Sequence, residues 1–256
     1  MGKLKAGFYS LTGCQGEYLA ILGMEDILLD LLSLVDIAEF KLASSKEYDG
    51  KVDIAFVEGS VSTERDLEYI KRIRANSKIL VALGDCAVWG GIQASTSGQD
   101  WKELMRSVYK TESNLYGFLG EHKGIPEVVP VDYEVQGCPI EGKEFARVLI
   151  DLVRDVKPEL PDYPVCIECK LRGIPCLVVE KGLPCLGPIT VAGCDARCPS
   201  YNTPCIGCRG PIRDEANVAG ELEMLLRKGY DKERILNLMS LFGARYKDLK
   251  SLIEGE

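Results

Sequence analysis

Eleven cysteines are spread unevenly over the 256 residues: eight fall in the 43 positions from Cys166 to Cys208, and Cys14, Cys86 and Cys138 stand far apart before them. Thiols at this density limit what the chain can fold into, because they must be oxidised in pairs, bound to zinc or bound to iron and sulfide. An odd number also leaves one cysteine outside any set of disulfides. The opening Met1-Gly2-Lys3-Leu4-Lys5 carries no apolar signal segment and no twin arginine. No run approaches the roughly 20 apolar residues that a membrane span needs. The expected location is therefore cytoplasmic, where thiols are kept reduced, hyperthermophile cytosols excepted, and metal ligation outranks disulfides. With a formal net charge of −8 there is no electrostatic footprint for nucleic acid.

Before the cysteine block, near-continuous apolar runs alternate with segments of helical period. Strands are expected at 6–10, 35–42, 52–57, 78–83 and 128–133, with helices at 17–32, 64–75 and 143–156. Ser62 or Thr63 is placed to cap the second of these helices. This alternation predicts an α/β domain over residues 1–156, built on a doubly wound parallel sheet. Residues 157–164, Lys-Pro-Glu-Leu-Pro-Asp-Tyr-Pro, read as an extended linker into a second domain, 157–256. Leu222, Leu225 and Leu226 have the spacing of a helix core. His122, the single histidine, falls in Gly120-Glu121-His122-Lys123-Gly124, which reads as an exposed turn.

The three isolated cysteines each follow the carboxyl end of an expected strand, the edge at which open α/β sheets bind ligands. Small or rigid neighbours surround them: Gly13 and Gly16 beside Cys14, Gly84 and Gly90-Gly91 around Cys86, Gly137 and Pro139 beside Cys138. Such neighbours allow backbone amides to approach sulfur and tune its potential. A single cysteine is usually a buried core residue, but three at equivalent strand ends point to a shared metal site. Its fourth ligand is not a cysteine. Glu17 stands where a Cys-x-x-Cys pair would place one, and Glu58, at the end of the third strand, is the rival. A structural alternative for Glu17 is charge stabilisation of a helix start. Trp89 either shields this site or simply packs.

In the second domain the cysteines run Cys166, Cys169, Cys176, Cys185, Cys194, Cys198, Cys205 and Cys208, enough for two four-thiolate sites. The Cys-x-x-Cys pairs at each end suit structural zinc as well as iron–sulfur clusters, so spacing alone leaves both open.

The motifs Leu11-Thr12-Gly13-Cys14, Val57-Glu58-Gly59-Ser60, Gly84-Asp85-Cys86-Ala87 and Gly137-Cys138-Pro139 occur in this order. They are followed by Cys166-Ile167-Glu168-Cys169, Cys185-Leu186-Gly187-Pro188-Ile189-Thr190 and Pro204-Cys205-Ile206-Gly207-Cys208-Arg209-Gly210-Pro211. On these stretches, which cover residues 6 to 213, the chain resembles the small, electron-transferring subunit of nickel–iron hydrogenases, and especially the delta subunits of soluble, NAD(P)-linked sulfhydrogenases. The resemblance implies a flavodoxin-like domain followed by a smaller, loop-rich and helical cluster domain. It implies three 4Fe-4S clusters: a proximal one on Cys14, Cys86 and Cys138 with Glu17 in the place of a usual cysteine, a distal one on Cys166, Cys169, Cys176 and Cys185, and a medial one on Cys194, Cys198, Cys205 and Cys208. Two further departures from the family pattern, Cys166 where many relatives have histidine and Cys198 as an extra medial thiolate, fit four-iron clusters at both second-domain sites. The implied partners are a nickel–iron catalytic large subunit, a flavin/NAD(P)-binding subunit and a further iron–sulfur subunit, in a heterotetramer. No catalytic residue is expected in this chain.

Alternatives remain at this level. A deazaflavin-linked hydrogenase would use the same subunit, and polysulfide could be a further substrate of the assembly. A zinc-stabilised interaction module would use the eight clustered cysteines but gives no reason for the other three. An FMN-binding protein is weakly suggested by Ser10-Leu11-Thr12-Gly13-Cys14-Gln15, but no Gly-x-Gly-x-x-Gly follows a strand.

Overall fold

A computed structural model describes residues 2–96, 99–114, 116–212 and 216–242. The chain divides into two compact units, residues 1–159 and 160–256. The first contains β1 (Leu4–Ser10), α1 (Gly16–Leu22), α2 (Leu28–Ser33), β2 (Val35–Phe40), β3 (Val52–Glu58), β4 (Val61–Thr63) and α3 (Glu64–Ala75). It continues with β5 (Ser77–Leu83), α4 (Gly84–Trp89), α5 (Trp101–Tyr109), β6 (Phe118–Lys123), β7 (Tyr133–Val135) and α6 (Gly142–Val153).

Five of these strands form a wholly parallel sheet in the order β2-β1-β3-β5-β7. That is the flavodoxin-like order, with its switch point between β1 and β3. The expected doubly wound α/β fold is thus present. Each face of the sheet is apolar for its own reason. On one, Phe8 stacks on Phe40 at 4.5 Å and on Phe56 at 5.1 Å between ring centroids, and Phe145 of α6 meets Phe56 edge-on at 5.2 Å. Each fully buried phenylalanine contributes about 2–3 kcal/mol from transfer alone. Tyr18 of α1 enters the same layer and donates its hydroxyl to the carbonyls of Tyr9 and Phe56, so its one buried polar atom is satisfied. On the opposite face Tyr9, Ala55, Val57, Leu80 and Ala82 pack under Ile70 and Ile73 of α3.

Three expected elements differ in the structure. The helix expected over 17–32 is two helices, because the chain turns at Gly23, whose N–H caps the carbonyl of Leu19, and Met24 packs against Gly142 at the start of α6. The fifth strand lies at 133–135 rather than 128–133. Pro130 precedes it, and Asp132 Oδ2, accepting from Leu80 N at 2.8 Å, anchors the chain only there. The segment around His122 is β6, paired antiparallel with β4, and not an exposed turn.

The second unit contains α7 (Val165–Leu171), α8 (Leu177–Lys181), α9 (Arg197–Ser200), α10 (Val218–Arg227) and α11 (Lys232–Ser240), joined by long loops. Two small cores hold it. Leu186 and Ile189 pack with Leu222, Leu225, Ile235 and Met239 from the last two helices, and Val165, Val178 and Ala196 pack with Cys185 and Cys205. Leu222 and Leu225 therefore take the core positions expected of them. The last residues of the expected second domain, 243–256, lie outside the described residues. Among those described, no helix is long and apolar enough to cross a membrane.

Candidate metal centres

At the carboxyl edge of the sheet, backbone pairing brings the cysteine-bearing loops of the first unit together. Leu11 N donates to Glu58 O at 2.9 Å, and Thr12 and Ser60 exchange N–H to carbonyl bonds of 3.2 and 2.8 Å, tying the Cys14 loop to the end of β3. Asp85 N donates to Gly137 O at 2.7 Å and ties the Cys86 turn to the Cys138 loop. The thiols feel one another. Burial first, then the nearby Glu17, Asp85 and Cys14, push Cys86 and Cys138 each up to about 12, with Cys86 adding to the rise at Cys138 and a Gln93 hydrogen bond opposing it at Cys86.

Glu17 and Glu58, the two rival fourth ligands, turn out to be neighbours. Glu17 is only 2% exposed, and its carboxyl is pushed up to about 7, first by burial and then by the nearby Glu58. Burial also raises Glu58 above the usual carboxylate range. Ser10, Glu17 and the Gln15 N–H approach the Glu58 carboxyl and partly offset that cost, yet neither of its oxygens has a partner at full hydrogen-bond geometry. Burial and mutual repulsion disfavour charge on both carboxyls, and each is held above the usual carboxylate range. Gly84, at φ 81°, leaves the space that the Glu17 carboxyl fills; a Cβ there would collide with it. Trp89 is buried at the end of α4, packed in the core on the α3 face.

In the second unit, Cys166 is likewise raised to about 12, by burial first and then by Cys185, Cys169 and Cys176 in that order. These four are the set expected to work together. Cys176 is exposed, whereas Cys185 is buried and its Sγ accepts the Cys205 N–H at 3.2 Å. The other expected set is linked in part. Cys205 has Cys185 and Cys208 for electrostatic neighbours, while Cys194 lies against Glu168 and Arg209. Cys198 sits half-buried in α9. Glu168, between the two cysteines of the first pair, accepts from Gly193 N and Ala196 N at 2.8 Å each, and so fixes the loop that carries Cys194. Among the described residues, no three His, Cys, Asp or Glu side chains converge as ligands of a single metal ion.

Backbone without side chains approaches several of the sulfurs closely. A Cβ on Gly91 would lie 2.5 Å from Cys86 Sγ, and one on Gly16 would lie 3.3 Å from Cys14 Sγ. One on Gly187 would sit 3.4 Å from Cys166 Sγ and 3.5 Å from Cys185 Sγ. Glycines thus keep space clear beside four of the thiols, and thiolates are the donors that iron–sulfur clusters take.

A parallel sheet with cysteines at its carboxyl edge, together with a cysteine-rich helical unit, makes this a thiol-rich α/β protein with two sets of candidate ligands. Residues 14–152 match the family model described as NADH ubiquinone oxidoreductase, 20 Kd subunit. The sulfhydrogenase 2 subunit delta of Pyrococcus furiosus is 45% identical over 222 residues, which are 87% of this chain and 92% of that protein. The NAD-reducing hydrogenase HoxS subunit delta of Cupriavidus necator is 34% identical over 174 residues, 62% of this chain and 83% of that one. Among solved structures, a chain of an NAD+-reducing NiFe hydrogenase in the hydrogen-reduced state superposes with a TM-score of 0.59 at 28% identity, covering 62% of this chain and 96% of that one. The chain belongs to this family and is an electron-transferring hydrogenase subunit of the delta type.

Sequence reasoning overlooked several polar residues around the first site. Asp85 is fully buried next to Cys86, and Gln93 reaches back to the same sulfur. The signal for Gln93 was present in the Gly90-Gly91 pair, which marks a sharp return of the chain after Cys86. In the second unit, Glu221 of α10 was also passed over. It is buried, pushed up to about 7 by burial, and near enough to Cys166 and Cys185 to raise both.

Proposed function

We propose that this chain carries electrons singly through three 4Fe-4S clusters, between the nickel–iron centre of a catalytic large subunit and a flavin/NAD(P)-binding partner. The observation that carries the reading is the meeting of Cys14, Cys86 and Cys138, from three separate loops, at one edge of the sheet. In it, Cys14, Cys86 and Cys138 hold the proximal cluster with Glu17 as fourth ligand, and Glu58 stands behind Glu17. Cys166, Cys169, Cys176 and Cys185 hold the distal cluster, and Cys194, Cys198, Cys205 and Cys208 the medial one. The domain assignment, a cluster-bearing flavodoxin-like half and a half with two clusters, goes with it.

The clusters supply one-electron redox chemistry at potentials that protein surroundings set within a range of roughly −700 to +450 mV. This chain's residues fix the sulfurs, bury those of Cys86, Cys185 and Cys205, and donate backbone N–H bonds, as Cys205 does to Cys185. Hydrogen oxidation on the partner yields two protons and two electrons. The electrons cross this chain one after the other, toward the flavin or nicotinamide on the next subunit or, when hydrogen is formed, in the reverse direction. Cytoplasmic location and a further iron–sulfur subunit complete the proposed assembly.

Iron, acid-labile sulfide and zinc in anaerobically purified protein, corrected for any nickel-containing partner, test the reading. It requires about twelve iron atoms with matching sulfide per chain, the sum of three four-iron clusters. About two zinc atoms without sulfide would replace it with structural zinc sites.

A further inference from the structure

After α4 the chain doubles back on itself. Gly90 and Gly91 both take positive φ, 85° and 65°, and the turn at Ile92–Thr96 returns Gln93 to the sulfur that α4 presents. Gln93 Nε2 donates to Cys86 Sγ at 3.5 Å and to the Thr12 carbonyl at 3.1 Å. A primary amide has two N–H groups, so both bonds form together. One side chain thereby joins the Cys86 sulfur to the loop that carries Cys14.

The Thr12 carbonyl is itself the end of a buried line of hydroxyls. Ser60 donates to it from its N–H at 2.8 Å and from Oγ at 3.3 Å. Ser60 Oγ lies 2.8 Å from Ser62 Oγ, and Ser62 Oγ lies 2.7 Å from His122 Nδ1. Ser60 and Ser62 are 0% and 1% exposed. Asp66 Oδ2 braces the same loops, accepting from Thr12 Oγ1 at 2.7 Å and from Ser62 N at 3.2 Å.

We propose that Gln93 is a positioning residue for the electron relay: its amide donates to the Cys86 thiolate and favours the reduced, more negative state of the site, and the Thr12–Ser60–Ser62–His122 line holds that amide in place. The inference rests on the reading of Cys86 as a cluster ligand. Its physics is that of any donor to a charged acceptor. A hydrogen bond to sulfur strengthens as electron density on the sulfur grows, so it raises the potential, and its loss lowers it. Glutamine is neutral, so the effect needs no proton uptake. A side chain that merely braced the 92–96 turn would change stability and leave the potential alone.

The test is a redox titration followed by electron paramagnetic resonance on the assembled, cluster-loaded protein. Gln93→Leu and Gln93→Glu should each shift the midpoint of the first-unit cluster to lower potential and leave the other midpoints in place. The glutamate keeps the packing volume but, when ionised, gives up the donor. Ser62→Ala should shift the same midpoint in the same direction by less, because Gln93 keeps its direct bond. A wild-type midpoint in Gln93→Glu at full iron content overturns the proposal, and so does an equal shift of every cluster. A Cys86→Ser protein that retains all its iron would overturn the reading of the site beneath it, and the two failures are told apart by iron content.

Discussion

Glu17 and Glu58 place two carboxyl groups beside the loops of Cys14, Cys86 and Cys138, and burial holds both carboxyls above the usual carboxylate range. From sequence the two were rivals, because spacing along the chain gives no measure of the separation between the start of α1 and the end of β3. His122 is the opposite case. Its polar, glycine-flanked context suggests a solvated turn, yet its ring lies half-buried against Phe118, at 4.9 Å, and bonds to Ser62. Burial lowers its pKa below 6.5, with Asp66 opposing in part. The unfolded chain therefore takes up this proton first as the pH falls. His122 costs stability below pH 6.5 and none above it. Because the chain has one histidine, the NMR titration of its only imidazole checks this directly: the expected midpoint is below 6.5, and one at or above that value contradicts the buried placement.

Among the elements, α3 shows how local sequence and site are coupled. Thr63 Oγ1 caps the helix by accepting from Asp66 N at 3.1 Å, and Asp66 Oδ2 in turn accepts from Thr63 N at 3.0 Å. The same carboxylate holds Thr12 and Ser62, so the capping box also fastens the loops at the carboxyl edge of the sheet. Thr63→Ala should cost about 1–2 kcal/mol, read as a lower urea midpoint, with Thr63→Ser recovering most of it. The cap was legible in sequence to within one residue, Ser62 or Thr63, as were β1, β2, β3 and β5, because strands buried on both faces leave long apolar runs. The short elements were not legible. β6 is Phe-Leu-Gly-Glu-His-Lys, without a β-branched residue, and exists through its pairing with the three-residue β4. The break at Gly23 was hidden because the apolar period continues across it. Likewise, the cysteines at strand ends pointed to a site, but the Gln93 return depends on tertiary contact.

For the whole molecule, the division into units predicts separable metal sites. Cys176→Ser should remove the iron of one second-unit cluster, about four atoms, while the signal of the first-unit cluster persists. Iron analysis and electron paramagnetic resonance on the same sample would show it, and loss of both signals would contradict the separation. The unequal cores carry a further consequence. The first unit closes a five-stranded sheet with aromatic and aliphatic layers that need no metal, whereas the second counts Cys185 and Cys205 among the residues of its own small core. Metal binding and folding are coupled where ligands serve as core. On the proposed cluster assignment, the maturation of this polypeptide would be staged: its first half would stand ready before any cofactor arrives, while its second half would wait for iron and sulfide to finish it.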